Sequence, residues 1–206
     1  MARAGFFGRY IVARGLTCVG AALLLVAASA PSAFGQAEHV RWDIVSIVFG
    51  PPNPVSPGGK ASARANDNSK ITVTGTGTFV APAGGGGTSG AATGGGTWTV
   101  CNAAGTVCAS GTYEVTGLVR WEPAPGTPPP ANIDMIDDGQ TSAGLAVLRV
   151  EYNDGERGIL VVSCHLVGTP DSVFEGITAS KGFVDYWNRE APVPLVNADR
   201  TVFHIQ

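Results

Sequence analysis

The residues with the clearest chemical promise lie in the C-terminal half of the chain. Ser163-Cys164-His165 sets a thiol beside an imidazole, the pair from which a cysteine nucleophile and its base are made. Neighbouring side chains on a strand point to opposite faces, so in an extended run these two cannot meet. Cys164 is therefore read as a buried free thiol. Asn132, Asp134, Asp137 and Asp138, followed by Gly139, supply oxygen donors of the kind calcium takes. Their spacing lacks the twelve-residue loop and its closing Glu, and they are read as a solvated acidic connector with no metal ligand assigned. Glu114, Glu151 and Glu175 are the carboxylates from which a hydrolase would be built if distant strands brought two of them together.

The segment 173–188 mixes aromatic and polar residues. Strand alternation places Phe183, Asp185 and Trp187 on one face, where an indole stacks on a sugar ring while a carboxylate accepts its hydroxyls. Asp185 and Trp187 are thus the candidate ligand-binding pair. The competing and preferred reading puts Trp187 in the core near a sheet edge, with Asp185 capping a turn. Trp42, Trp98 and Trp121 are assigned to the core.

Three glycine motifs are set aside. Gly85-Gly86-Gly87-Thr88-Ser89-Gly90 fits G-x-G-x-x-G in letters, but no helical pattern follows to receive a pyrophosphate. Ser89 misses the nucleophile-elbow pattern because Ala91 stands at its last position. Gly59-Lys60 is followed by Ala61 and lacks the upstream glycine of a phosphate loop. No catalytic residue and no cofactor are assigned.

The elements that must position these groups read as strands. No stretch after residue 36 repeats apolar residues at helical spacing; short runs rich in Val, Ile, Thr, Tyr, Phe and Trp alternate with Gly, Pro, Asn and Asp. Residues 40–49 form one strand, ended by Pro51, Pro52 and Pro54. Residues 58–69 read as a loop turning at Asn66-Asp67-Asn68. Residues 71–80 alternate strictly, with Ile71, Val73, Gly75, Gly77 and Phe79 on one face and a row of threonines on the other. The two glycines leave space for a large side chain opposite, let the strand bend, or make room for a ligand. Residues 81–96 are a flexible Gly-rich loop, and 122–131 are a Pro-rich connector that breaks the sheet.

Two hairpins follow from turn chemistry. A two-residue turn at Ala104-Gly105 sets Cys101 opposite Cys108, predicting a disulfide. Asp154-Gly155 between apolar runs predicts a three-residue loop with Gly155 left-handed, Leu148 opposite Val162 and Val150 opposite Leu160. That register turns Cys164 inward and His165 outward. Short strands follow at 173–178, 182–187 and 201–205.

The expected fold is all-β: an antiparallel β-sandwich of about eight or nine strands, with a closed β-barrel as the alternative. Residues 1–35 read as a cleaved signal peptide, with Arg3, Arg9 and Arg14 ahead of an apolar run that stops at Pro31. That run is too short to span a bilayer, so no membrane span is expected after cleavage. Residues 36–206 form a single domain. Losing three arginines and no acid moves the formal charge from −3 to about −6, which disfavours nucleic acid. The composition fits a bacterial genome rich in G and C.

The expected role is that of an exported, extracellular or periplasmic, non-enzymatic binding or surface-display protein, its partner a carbohydrate or another cell-surface ligand. The alternatives are a β-barrel carrier or simple isomerase for a small ligand, and the carboxylate hydrolase.

Overall fold

A computed structural model describes residues 37–82, 85–136 and 139–206. The leader expected at 1–35 lies outside them, as do Asp137 and Asp138. The described residues form fourteen strands: β1 (Glu38–Ile47), β2 (Asn53–Pro57), β3 (Ala61–Arg64), β4 (Lys70–Val73), β5 (Thr76–Ala81), β6 (Ala92–Cys101), β7 (Cys108–Ala124), β8 (Asn132–Asp134), β9 (Gln140–Tyr152), β10 (Arg157–Cys164), β11 (Gly176–Lys181), β12 (Val184–Tyr186), β13 (Asn188–Arg189) and β14 (Thr201–Ile205). The all-β expectation holds, and of the two closures considered six strands take the barrel. They pair antiparallel in the ring β1-β5-β6-β7-β9-β14 and back to β1, which leaves this part of the sheet without an edge.

The ring is filled by its own side chains. Trp42, Phe79, Trp121 and Phe203 are almost wholly buried, and the Trp121 ring lies 5.4 Å from Phe79 and 4.7 Å from Phe203. The two glycines of the alternating segment make this possible. A Cβ on Gly75 would come within 2.2 Å of the Tyr113 hydroxyl and 2.9 Å of Trp42, and one on Gly77 within 2.8 Å of the Trp42 indole nitrogen. The space opposite them belongs to Trp42 and Tyr113, and no room for ligand is left beside them.

β6, β7 and β9 outlast the ring. Beyond it β4 replaces β5 on the edge of β6, and β10 replaces β14 on the edge of β9; β3 and β13 extend one side, β11 and β12 the other. This half packs Ile71, Trp98, Tyr152, Leu160, Ile177 and Tyr186. Lys181 lies over Trp98 at 4.3 Å from the ring centroid and reaches Asp154 and Glu156 in the β9–β10 turn.

A flap completes the fold. β2 doubles back antiparallel on the end of β1 and pairs in parallel with β8. It covers Val45, Ile47 and Val202 on the outer wall of the barrel, which with Val55 make a second, small apolar cluster.

Several local expectations are corrected. Segment 58–69 contains β3, whose Ala61 and Ala63 are fully buried; alanine carries little strand preference, so the signal is weak. Segment 71–80 is two strands, broken where the chain changes partners at Thr74 and Gly75. Ala92 to Gly96 belong to β6 and not to a loop, because the bare backbones of Gly77 and Gly94 pair where side chains would collide. β7 runs to Ala124, into the connector, and Thr127 bridges Val167.

The Cys101–Cys108 disulfide forms in the expected register, although the turn spans Asn102 to Gly105. Closing so short a loop stabilises by about 2.5 kcal/mol in chain-entropy terms. In the β9–β10 hairpin Gly155 is left-handed as expected, but Tyr152 and Glu156 close the loop. Leu148 therefore faces Leu160, and Val150 faces Gly158. The two-residue offset keeps every side chain on its expected face, with Cys164 buried and His165 outside.

Candidate functional site

Between the flap and the outer barrel wall lies a cavity of about 190 Å³. Its walls are mostly hydrocarbon: Val45 and Ile47 from β1, Val55 from β2, Val202 from β14, Leu166, and the Pro128-Pro129 pair that leads into β8. A strand alternates its faces, so β14 sends Phe203 into the barrel and leaves Val202 and His204 for the side the flap covers.

Polar groups converge at two places on this wall. At the first, the Glu175 carboxylate, just ahead of β11, accepts the backbone N–H of His165 at 2.5 Å and that of Thr201 at 2.6 Å. The Thr201 hydroxyl donates to the Ser163 carbonyl at 2.6 Å. Burial pushes the Glu175 carboxyl up to about 8, because the two N–H donors, the Arg200 charge and the Thr201 hydroxyl offset the lost hydration only in part. His165 donates from Nδ1 to the Val173 carbonyl at 2.7 Å, which places the lone pair of a neutral ring on Nε2. Arg200 lines the same end. Among the described residues its buried Nε has no acceptor, Nη2 donates to the Val193 carbonyl at 3.4 Å, and the guanidinium carbon lies 5.5 Å from the centre of the Phe49 ring.

At the second place Asp134 of β8 meets His204 of β14. Asp134 Oδ2 lies 2.5 Å from His204 Nε2 and accepts the Thr141 hydroxyl at 3.1 Å, while Oδ1 accepts the Ile136 N–H at 2.9 Å. Burial works to raise this carboxyl, but the His204 ring and the other donors outweigh it and hold Asp134 below the usual carboxylate range. His204 is fully buried, and its Nδ1 has no partner among the described residues. The pair ties the flap to the barrel.

The arrangement suits holding a ligand better than breaking one. The Ser163 hydroxyl is committed to the Phe174 carbonyl. The Cys164 thiol faces the core, where burial first and the Glu175 charge second push it up, away from its reactive thiolate.

Apart from Asn132 and Asp134, which line the cavity, the other residues singled out in the sequence lie elsewhere. Glu114 and Glu151 face each other across β7 and β9, both exposed. Glu151 sits seven residues along β9 from Gly144, the neighbour of Cys164, roughly 23 Å at about 3.3 Å per residue, so neither joins Glu175. Asp134 is spent on His204, and among the described residues no group of three or more His, Cys, Asp or Glu side chains is placed to hold a metal ion.

Trp187 corrects the preferred reading of its segment: it is 70% exposed, whereas Trp42, Trp98 and Trp121 are buried as expected. On β12 Tyr186 turns inward and Asp185 is exposed; Phe183, in the turn that precedes the strand, and Trp187, just after it, are exposed as well. Arg200 and the flap itself were not legible as a site. The one local sign was Glu175, an acid alone within the apolar run 173–177.

No family model, curated protein or solved structure matches this chain.

Proposed function

We propose that this is an exported, non-enzymatic binding protein that holds one small, largely apolar molecule beneath the β2–β8 flap. The observation that carries the reading is the cavity itself: hydrocarbon walls, with the buried Glu175 carboxyl and the Arg200 side chain at one end. Pockets of this make-up, apolar with a few convergent polar groups, are the usual form of a small-molecule site. Export is supported by the leader-like pattern of residues 1–35 and by a disulfide, which persists in oxidising compartments. No helix among the described residues is long and apolar enough to cross a membrane.

A thermal-shift screen of single-ring compounds tests this reading. A ligand present at about a hundred times its Kd stabilises the fold by about 2.7 kcal/mol. Leu166→Trp, which fills the pocket, is expected to abolish the shift. A shift that survives Leu166→Trp places the ligand elsewhere.

A second reading is favoured by the exposure of Phe183 and Trp187 beside Asp185. Two exposed aromatic side chains flanking β12, with the Asp185 carboxylate between them in sequence, offer a stacking surface for a polysaccharide. Replacing both aromatics with alanine is expected to reduce retention on insoluble polysaccharide at least tenfold with no change in melting, because neither side chain is packed. Unchanged retention removes this reading.

A further inference from the structure

A second groove, of about 510 Å³, lies away from the flap, between loop 190–199 and the outer face of β3 and β4. Strand alternation builds it. β3 and β4 bury Ala61, Ala63, Ile71 and Val73, which turns Ser62 and Thr72 outward, with Lys60 and Lys70 beside them. The loop supplies an apolar wall through Val193 and Val196. One hydrocarbon wall facing one of hydroxyls and charges suits a sugar ring, whose C–H faces pack while its edges hydrogen-bond.

Asp199 points to a ligand more narrowly. It is 7% exposed, and its Oδ1 accepts the Ser62 N–H at 2.7 Å. Oδ2 makes no hydrogen bond among the described residues and keeps some open surface, and burial raises this carboxyl. A largely desolvated acceptor is costly to leave unmet, and a ligand hydroxyl meets it.

Charge selects among sugars. Glu190 is shared by Arg64 at 2.9 Å and Lys70 at 3.7 Å, while Lys60 is exposed with no ion-pair partner among the described residues. Three cations against Glu190 and Asp199 leave one positive charge in excess, on a chain whose formal charge is −3. A single carboxylate matches that excess; the doubled charge of a phosphate would meet both acids.

The groove also opens onto a track. The Ser62 and Thr72 hydroxyls lie 2.9 Å apart, and the register runs on from Thr72 to Thr99 of β6 and Ser110 of β7. Beside it run Thr74, Thr97 and Thr112, with the first two hydroxyls 2.8 Å apart. Neighbouring strands stand about 4.8 Å apart, comparable with one unit of an extended sugar chain, so a chain crossing them meets hydroxyls at each unit. We infer that this groove binds a uronate unit of an acidic polysaccharide, whose chain continues over the hydroxyl rows of β4, β6 and β7.

The test is calorimetric titration of the purified protein with tetramannuronate and tetragalacturonate, beside neutral mannotetraose and, as a bare polyanion, linear tetraphosphate. At least one uronate is expected to bind ten times more tightly than either control. Lys60→Gln with Lys70→Gln is expected to weaken it at least tenfold, and Asp199→Asn, which keeps the acceptor for Ser62, about fivefold, with melting unchanged in the lysine variant. Thr99→Val with Thr112→Val is expected to weaken the tetramer about threefold and leave single mannuronate unchanged. Phe183→Ala with Trp187→Ala is expected to change nothing. Equal binding of mannotetraose overturns the role of charge, and equal binding of tetraphosphate overturns the sugar. Binding lost with the two aromatics and kept without the two lysines overturns the groove, as does no binding by either uronate.

Discussion

Trp42→Ala is expected to cost about 3–5 kcal/mol of stability, the range for emptying a large buried aromatic site. The indole sits across the barrel ring, fully buried, in the register position opposite Phe203 and against the bare backbones of Gly75 and Gly77. Those glycines have no side chains to move into the gap, and the ring around them is hydrogen-bonded shut, so the cavity cannot collapse. Trp42→Phe is expected to cost much less. The indole nitrogen has no partner among the described residues, and removing it also removes a buried, unpaired N–H. Denaturant midpoints at constant slope measure both changes. A loss below about 1 kcal/mol for the alanine variant would mean that the barrel is not packed around this residue.

The second large effect is a pH dependence centred on Glu175. Its folded-state value of about 8 stands above the ordinary 4.5, so between these values the folded protein holds a proton that the unfolded chain releases. Stability is therefore greatest below about pH 4.5, as far as this group decides it, and falls as pH rises toward 8, beyond which the slope ends. The total is on the order of 5 kcal/mol, for a rise from 4.5 to about 8 at about 1.4 kcal/mol per pH unit. Glu175→Gln is expected to flatten this slope. It also gives up one of the two acceptors for the His165 and Thr201 N–H groups, which costs about 1–2 kcal/mol at acid pH. The variant is thus less stable than the parent at pH 5 and equal or more stable at pH 9. Parallel stability curves for the two proteins would show that the carboxyl titrates normally.

The parts of the fold that local rules govern were legible in the chain. Asp154-Gly155 and Gly105 placed two turns, and the register around the second brought Cys101 to Cys108. The alternation of 71–80 marked the inward glycines, and reading them as space for a large neighbour anticipated Trp42. What was not legible depends on contacts distant in sequence. The parallel pairing of residues 53–55 with 132–134 joins two three-residue stretches some eighty positions apart, among prolines that locally argue for loop. Without that flap there is no pocket, and Glu175, Arg200 and His204 are scattered polar residues. β3 was missed for another reason: its alanines fill a shallow gap beneath β11 without the bulk by which strands are recognised. Trp187 was misassigned because alternation fixes which residues share a face but not which face is covered.

The most direct test of the pocket as the ligand site is a titration of the isotopically labelled protein with a single-ring compound that raises its melting temperature, followed through its backbone amide signals. The account predicts saturable shifts at Val45, Val55, Asn132, Leu166 and Thr201, with Phe79 and Leu118 inside the barrel and Asp185 and Trp187 on the outer face unmoved. Shifts confined to Asp185, Trp187 and their neighbours, or to the residues packed inside the ring, would contradict it.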